Sequence, residues 1–219
     1  MVPPRARRGA PVAIFLLFVA GFVTACGSGG TGEPASLAAT TTLAGVVRAP
    51  LLEVADVSLP EAASGTPMAM RADDGELLVV YFGYTSCPDV CPMTMSDLRV
   101  AIEDLPDGLA EKVTVAMATV DPERDQPETL AGYLGHFFDR TAALRTEDPA
   151  ELATAARAFG VQYEVEDHEP GDATYDVGHS AITYVIDDTG TVRVEWPFGF
   201  ESEHMTTDLT TLLTRPEIR

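Results

Sequence analysis

The chain is short of cysteine, tryptophan and positive charge. Its 219 residues include three cysteines and one tryptophan, and 14 basic residues face 34 acidic ones. Three cysteines cannot build the disulfide framework of a small secreted scaffold. A net charge of −20 excludes nucleic acid and anionic lipid as electrostatic partners. The deficit is unevenly spread. Arg5, Arg7 and Arg8 precede everything else, leaving 11 bases against 34 acids, or −23, over the remainder. Such a surface attracts cationic partners or metal ions, or serves solubility alone. No internal repeat is visible, so repeat architectures are excluded as well.

What is present is globular: 46 % hydrophobic and 22 % charged residues, enough for one ordinary domain with appendages. The N-terminus reads as an export signal over residues 1–25. Three arginines precede an uncharged apolar stretch from Gly9 to Ala25, closed by small residues before Cys26. That stretch is at the short limit for a spanning helix, which needs roughly 20 apolar residues. Val23-Thr24-Ala25-Cys26 resembles a bacterial lipobox, which implies that Cys26 is lipidated and becomes the mature N-terminus. The expected location is therefore the extracytoplasmic face of the cell membrane, held by a lipid anchor. Residues 26–46, rich in Gly, Ser, Thr and Ala, have the composition of a flexible tether. The domain proper is expected over 47–219.

Within it, "LLVVYFGY" (77–84) reads as a strand buried on both faces. A helix follows, with Pro92 in its first turn and Met95, Leu98, Ile102 and Leu105 on one face. "KVTVAMATV" (112–120) is a second buried strand, which completes a βαβ unit. Asp125 and Glu128 read as a capping box for the next helix. Asp148 and Pro149 start another helix that runs to Phe159 and stops at Gly160. A short strand (161–166), a hairpin over 179–196 turning at Asp187–Gly190, and a helix over 202–213 close the chain. The expected fold class is α/β and thioredoxin-like. It has a central mixed sheet flanked by helices, with a C-terminal β-hairpin and helix.

Cys87 and Cys91 fall where the first buried strand turns into its helix. The free N–H groups and dipole of a helix start favour thiolate there. The pair closes too small a loop to restrain the unfolded chain strongly, so a purely structural disulfide is the weak reading. Three intervening residues depart from the two of thioredoxin-type catalysis. Two thiolates leave a soft metal short of ligands, and histidine or methionine would complete its shell. Of four histidines, His136 and His204 read as solvated, His168 as solvated or a weak secondary ion site, and His179, where the fold faces the cysteine turn, as either a ligand or a structural histidine. Met68, Met70, Met93 and Met95 offer a weaker thioether alternative, with Met95 already core-facing. Asp121 reads as a strand-end turn, and Asp89 as either solvated or a neighbour that tunes the loop.

"YFGYTSCPDVCP" (81–92), "VDPERDQPETL" (120–130) and "VGHSAITYVIDDTG" (177–190) resemble the three signature blocks of the Sco/SenC family, in that family's order. "WPFGF" (196–200) is similar too, and the resemblance covers about residues 47–215. It implies copper, as Cu(I) or Cu(II), held by Cys87, Cys91 and His179. It also implies a copper chaperone that assists assembly of the CuA site in cytochrome c oxidase subunit II, with another extracytoplasmic copper donor upstream. The alternative is a thiol–disulfide oxidoreductase that keeps the oxidase cysteines reduced through Cys87 and Cys91, served by a thioredoxin-like reductant. Enzyme status stays open between these two. One departure stands out: many relatives carry an aspartate directly before the histidine, where this chain has Gly178 and places Asp176 two positions earlier.

Overall fold

The computed structural model describes residues 42–218. The expected signal segment, the expected lipidation site Cys26 and most of the expected tether lie outside the described residues. Among those described, no helix is long and apolar enough to cross a membrane.

The hydrophobic runs form the centre of a six-stranded mixed sheet, in order β1-β10-β9-β4-β5-β6. Every residue of β4 (Leu77–Gly83) is buried, as its uninterrupted apolar sequence requires. It pairs in parallel with β5 (Val113–Thr119), and β5 pairs in parallel with β6 (Thr141–Leu144). On the other side of β4 the sheet turns antiparallel, through β9 (Ile182–Ile186), β10 (Thr191–Pro197) and the two-residue β1 (Leu52–Glu53). Tyr81 of β4 faces Thr183 of β9, so the exit of β4 lies beside the entry of β9. Two small ribbons stand apart from the sheet: β2 (Ser58–Pro60) with β3 (Pro67–Ala69), and β7 (Tyr163–Val165) with β8 (Val177–His179).

Helix α1 (Val90–Glu103) follows β4 and buries Cys91, Thr94, Met95, Leu98 and Ala101, a stripe at three- and four-residue spacing. It packs beside α4 (Ser202–Thr214). Helix α2 (Pro127–Gly135) packs on β6, and α3 (Pro149–Phe159) on β2. The α3 punctuation is as the sequence implied. The Asp148 side chain accepts from the Ala150 N–H at 2.9 Å, and Gly160 ends the helix at φ 75°.

Two expectations, on Asp125 and His168, need correction, and contacts just before residue 47 are a further observation. Asp125 is not an N-cap: Gln126 occupies that position, and Asp125 is fully buried against the cysteine loop. Ordered contacts begin before residue 47. The Asp208 carboxylate of α4 accepts from the N–H groups of Ala44 and Gly45, and Val46 bridges Glu195. His168 is not freely solvated: it stacks on Tyr175 at 3.5 Å and lies 3.0 Å from Glu123.

Candidate metal centre

The site is assembled from three separate pieces of chain. Cys87 lies in the turn that leaves β4, Cys91 in the first turn of α1, and His179 at the end of β8, opposite Tyr163. Their Sγ, Sγ and imidazole nitrogen atoms all lie within 4.8 Å of one another. Neither cysteine is in a disulfide; Cys91 is buried and Cys87 half-buried. The Cys91 backbone N–H donates to Cys87 Sγ at 3.3 Å, so sulfur occupies the place of a helix cap that Asp89 does not fill.

His179 is aimed by the backbone. Its Nδ1 lies 3.2 Å from the Ser180 carbonyl oxygen, which can only accept, so Nδ1 carries the proton and Nε2 the lone pair. Nε2 sits 3.4 Å from Cys91 Sγ. Burial pushes the imidazole pKa down and the Cys91 thiol up to about 12, so both are neutral in the metal-free protein. The Cys91 S–H therefore donates to Nε2. Here the helix-start argument fails for Cys91: desolvation outweighs the N–H groups and dipole that favour a thiolate.

The same Ser180 contact answers the question raised by Gly178. In place of a carboxylate, a carbonyl fixes the tautomer. Gly178 is exposed, and a Cβ built on it meets nothing within 4 Å.

Gly83 is required for a different reason. A Cβ there would stand 2.6 Å from Tyr81 Cε1 and 3.0 Å from Cys91 Sγ. The absence of a side chain makes the cradle in which the buried sulfur rests.

The loop from β5 to α2 braces the cysteine loop. The Asp125 carboxylate accepts from the Thr85 N–H at 3.1 Å, from the Thr85 hydroxyl, and from the Thr119 hydroxyl at 2.6 Å. Burial raises its pKa while the two hydroxyls oppose the shift. Asp121, also buried, is ion-paired with Arg124 and accepts the Tyr175 hydroxyl at 2.6 Å. The Arg124 guanidinium lies over Tyr175 at 3.8 Å and over Tyr84 at 5.5 Å. Sequence reasoning missed Asp125 as a site residue and took Asp121 for a turn. The only local signal was that both sit in one acidic, proline-containing block.

The remaining candidates fall away from the trio. His136 and His204 are exposed. Met70 and Met95 are enclosed in the core, while Met93 is 53 % exposed on the surface of α1. Two gathered thiols and a neutral imidazole form a soft donor set suited to a thiophilic ion.

The sequence matches the SCO1/SenC family over residues 61–214. The chain belongs to that family. An SCO2-like protein of Rickettsia prowazekii is 34 % identical over 116 residues, 53 % of this chain and 56 % of that protein. The match spans about half the length of the curated relatives. Apo Sco1 of Thermus thermophilus superposes with a TM-score of 0.68 at 32 % identity, covering 80 % of this chain and 99 % of that one. The copper-bound ScoI of Bradyrhizobium japonicum superposes at 0.58 with 29 % identity, covering 70 % and 94 %. The fold is thus that of the thioredoxin-like Sco proteins.

Proposed function

We propose that this Sco-family protein binds one copper ion through Cys87, Cys91 and His179. In this reading it acts as a lipid-anchored, extracytoplasmic copper chaperone for the CuA site of cytochrome c oxidase subunit II. One observation carries the proposal. His179 turns its lone pair toward Cys91 Sγ at 3.4 Å, a third donor that a dithiol redox pair does not need. Copper-bound ScoI structures, and a Stutzerimonas stutzeri relative that carries the name "Putative copper-binding protein", support the identity of the ion. Two thiolates and an imidazole suit trigonal Cu(I), and Cu(II) when a weak fourth ligand joins. Acidic side chains at Glu164, Glu166, Asp167 and Asp176 line the groove beside Gly178 and favour the approach of a cation. The anchor rests on the arginine-led apolar segment and the lipobox-like sequence ending at Cys26.

Chemically, this chain's residues gather and hold. Cys87 and Cys91 supply sulfur once their protons leave, His179 supplies nitrogen without a proton change, and the Gly83 cradle keeps the buried sulfur in place. Disulfide formation would remove both thiols, so oxidation switches binding off.

A thiol–disulfide reductase is the second reading, favoured by the two free vicinal thiols and their unequal exposure. The test measures copper binding anaerobically on the reduced protein, alongside disulfide exchange and oxidase CuA content in cells. His179→Ala is expected to weaken copper binding by at least the roughly 10–100-fold typical of lost supporting contacts, while disulfide exchange persists. Replacing either cysteine with serine should abolish both. Cells carrying His179→Ala that assemble a fully copper-loaded oxidase without added copper would defeat the chaperone reading in favour of the reductase.

A further inference from the structure

Two tyrosines flank the trio. Tyr81, fully buried on β4, donates its hydroxyl to Cys91 Sγ at 3.8 Å. Tyr84, just beyond the strand, lies beside Cys87: burial first, and the nearby thiol second, raise its pKa to about 12. Both rings also meet the third donor in the same way. Each centroid lies 5.8 Å from that of His179, with planes at 88°. Edge-to-face packing of this kind is directional, so two such contacts oppose rotation of the imidazole. Both tyrosines are themselves held in place: Tyr81 is paired on both sides within the sheet, and the Arg124 guanidinium lies over the Tyr84 ring.

We propose that Tyr81 and Tyr84 are positioning residues of the metal site: the Tyr81 hydroxyl donates to the Cys91 sulfur, Tyr84 stands beside Cys87, both rings orient His179, and together they bias the site toward Cu(I). The inference rests on the reading of Cys87, Cys91 and His179 as copper ligands. Its physical basis is the hydrogen bond to sulfur. A phenol O–H withdraws electron density from a thiolate and weakens its donation to Cu(II) more than to Cu(I), as hydrogen bonding around cysteine sulfur tunes other copper sites. The spacing Tyr-x-x-Tyr-x-x-Cys-x-x-x-Cys places both hydroxyls within one strand end and its turn, where the backbone is fixed by pairing to β5 and β9.

The test uses the full-length protein with Tyr81→Phe, Tyr84→Phe and the double variant, since phenylalanine keeps the ring and removes only the hydroxyl. The sulfur-to-Cu(II) charge-transfer band should move to lower energy in each single variant and further in the double. The preference for Cu(I) over Cu(II) should fall by roughly tenfold per hydroxyl, the scale of one hydrogen bond to a charged group. Tyr84→Leu, which removes the ring as well, should lose affinity for both oxidation states. A metal-free readout accompanies these: the Cys87–Cys91 couple in glutathione buffers should shift about fivefold toward the disulfide in each Phe variant, because the reduced thiols lose a donor. If Tyr81→Phe fails to fold, Tyr84, at the strand's end, carries the test alone. Copper binding by the unaltered protein with an unmoved band and unmoved preference in the Phe variants overturns this inference and leaves the proposed function standing. Absence of copper binding by the unaltered protein overturns the function, and with it the Cu(I) bias; the glutathione shift then decides whether the hydroxyl–thiol pairing survives.

Discussion

The loop from β4 to α1 and the loop from β5 to α2 leave adjacent parallel strands, yet their side chains make opposite kinds of contact. The first carries Cys87 and Cys91, whose sulfurs are held by weak, long contacts and remain free to bind. The second carries Asp121, Arg124 and Asp125, whose charges are committed to one another and to neighbouring loops. A group that must accept and release a ligand cannot also be tightly satisfied by the protein. Rigidity has to come from next door, and Asp125 supplies it through Thr85, two residues before Cys87. The contrast is one of division of labour between neighbours in the sheet, with the scaffold charged and the reactive loop soft.

Breaking the brace should have the largest effect. Asp125→Ala strips acceptors from the Thr85 N–H and two hydroxyls and is expected to cost about 3 kcal/mol of stability. Denaturant unfolding would read this as a lower midpoint with the slope unchanged. Asp125→Asn, which keeps one carbonyl oxygen, should lose less. Equal stability of Asp125→Ala and the unaltered protein would mean that the second loop does not brace the first.

This brace also marks where the sequence stopped being legible. The buried strands β4 and β5, the α3 caps, the hairpin turn and the strand-to-helix position of the two cysteines all follow from short-range patterns. Asp125 does not, because its partner Thr85 lies 40 positions away and the local string Asp-Gln-Pro-Glu reads equally well as a cap. Strand β6, "TAAL", is too short and too poor in branched residues to announce itself, and its pairing with β5 is non-local. The ionisation of Cys91 was misjudged for a related reason. Its helix position is visible in the sequence, but its complete burial is a property of the packed fold. The candidate trio was identified through its resemblance to a known family; the spacing of the cysteines alone leaned against a thioredoxin-type pair without closing the redox reading.

Burial of the soft loop makes a second, smaller prediction. The Cys91 thiol, with its pKa pushed up to about 12, stays protonated through the neutral range, and copper must displace that proton. His179, lowered by burial, is already neutral there and releases none. Apparent copper affinity should therefore rise with pH, by about tenfold per unit between pH 6 and 8 for this proton, and fall equally on acidification. Competition against a chelator of known pH response measures it. A flat profile would show that Cys91 is already a thiolate, and that the soft loop is more strongly stabilised than its contacts indicate.

The smallest effect is expected at Gly178. An aspartate there has open space around its Cβ, and the imidazole Nδ1 is already engaged by Ser180. Gly178→Asp should change stability by less than about 0.5 kcal/mol. Its effect on copper affinity should stay well under the roughly tenfold that loss of a ligating histidine's partner costs. A larger gain would show that the carbonyl is an incomplete substitute for the carboxylate carried by relatives.

The donors of this site are gathered by the fold to within 4.8 Å of one another. The conformational entropy of gathering them is lost when the chain folds, and capture of an ion need not lose it again. Folding and loading are consequently linked equilibria. An ion that prefers the gathered donors to the two thiols of an unfolded chain raises the melting temperature as it binds. By the same linkage, heat, denaturant or a loosened loop expels it. A protein built this way loses a bound ion by being softened as well as by being outcompeted, and its thermal stability is a direct gauge of how full it is.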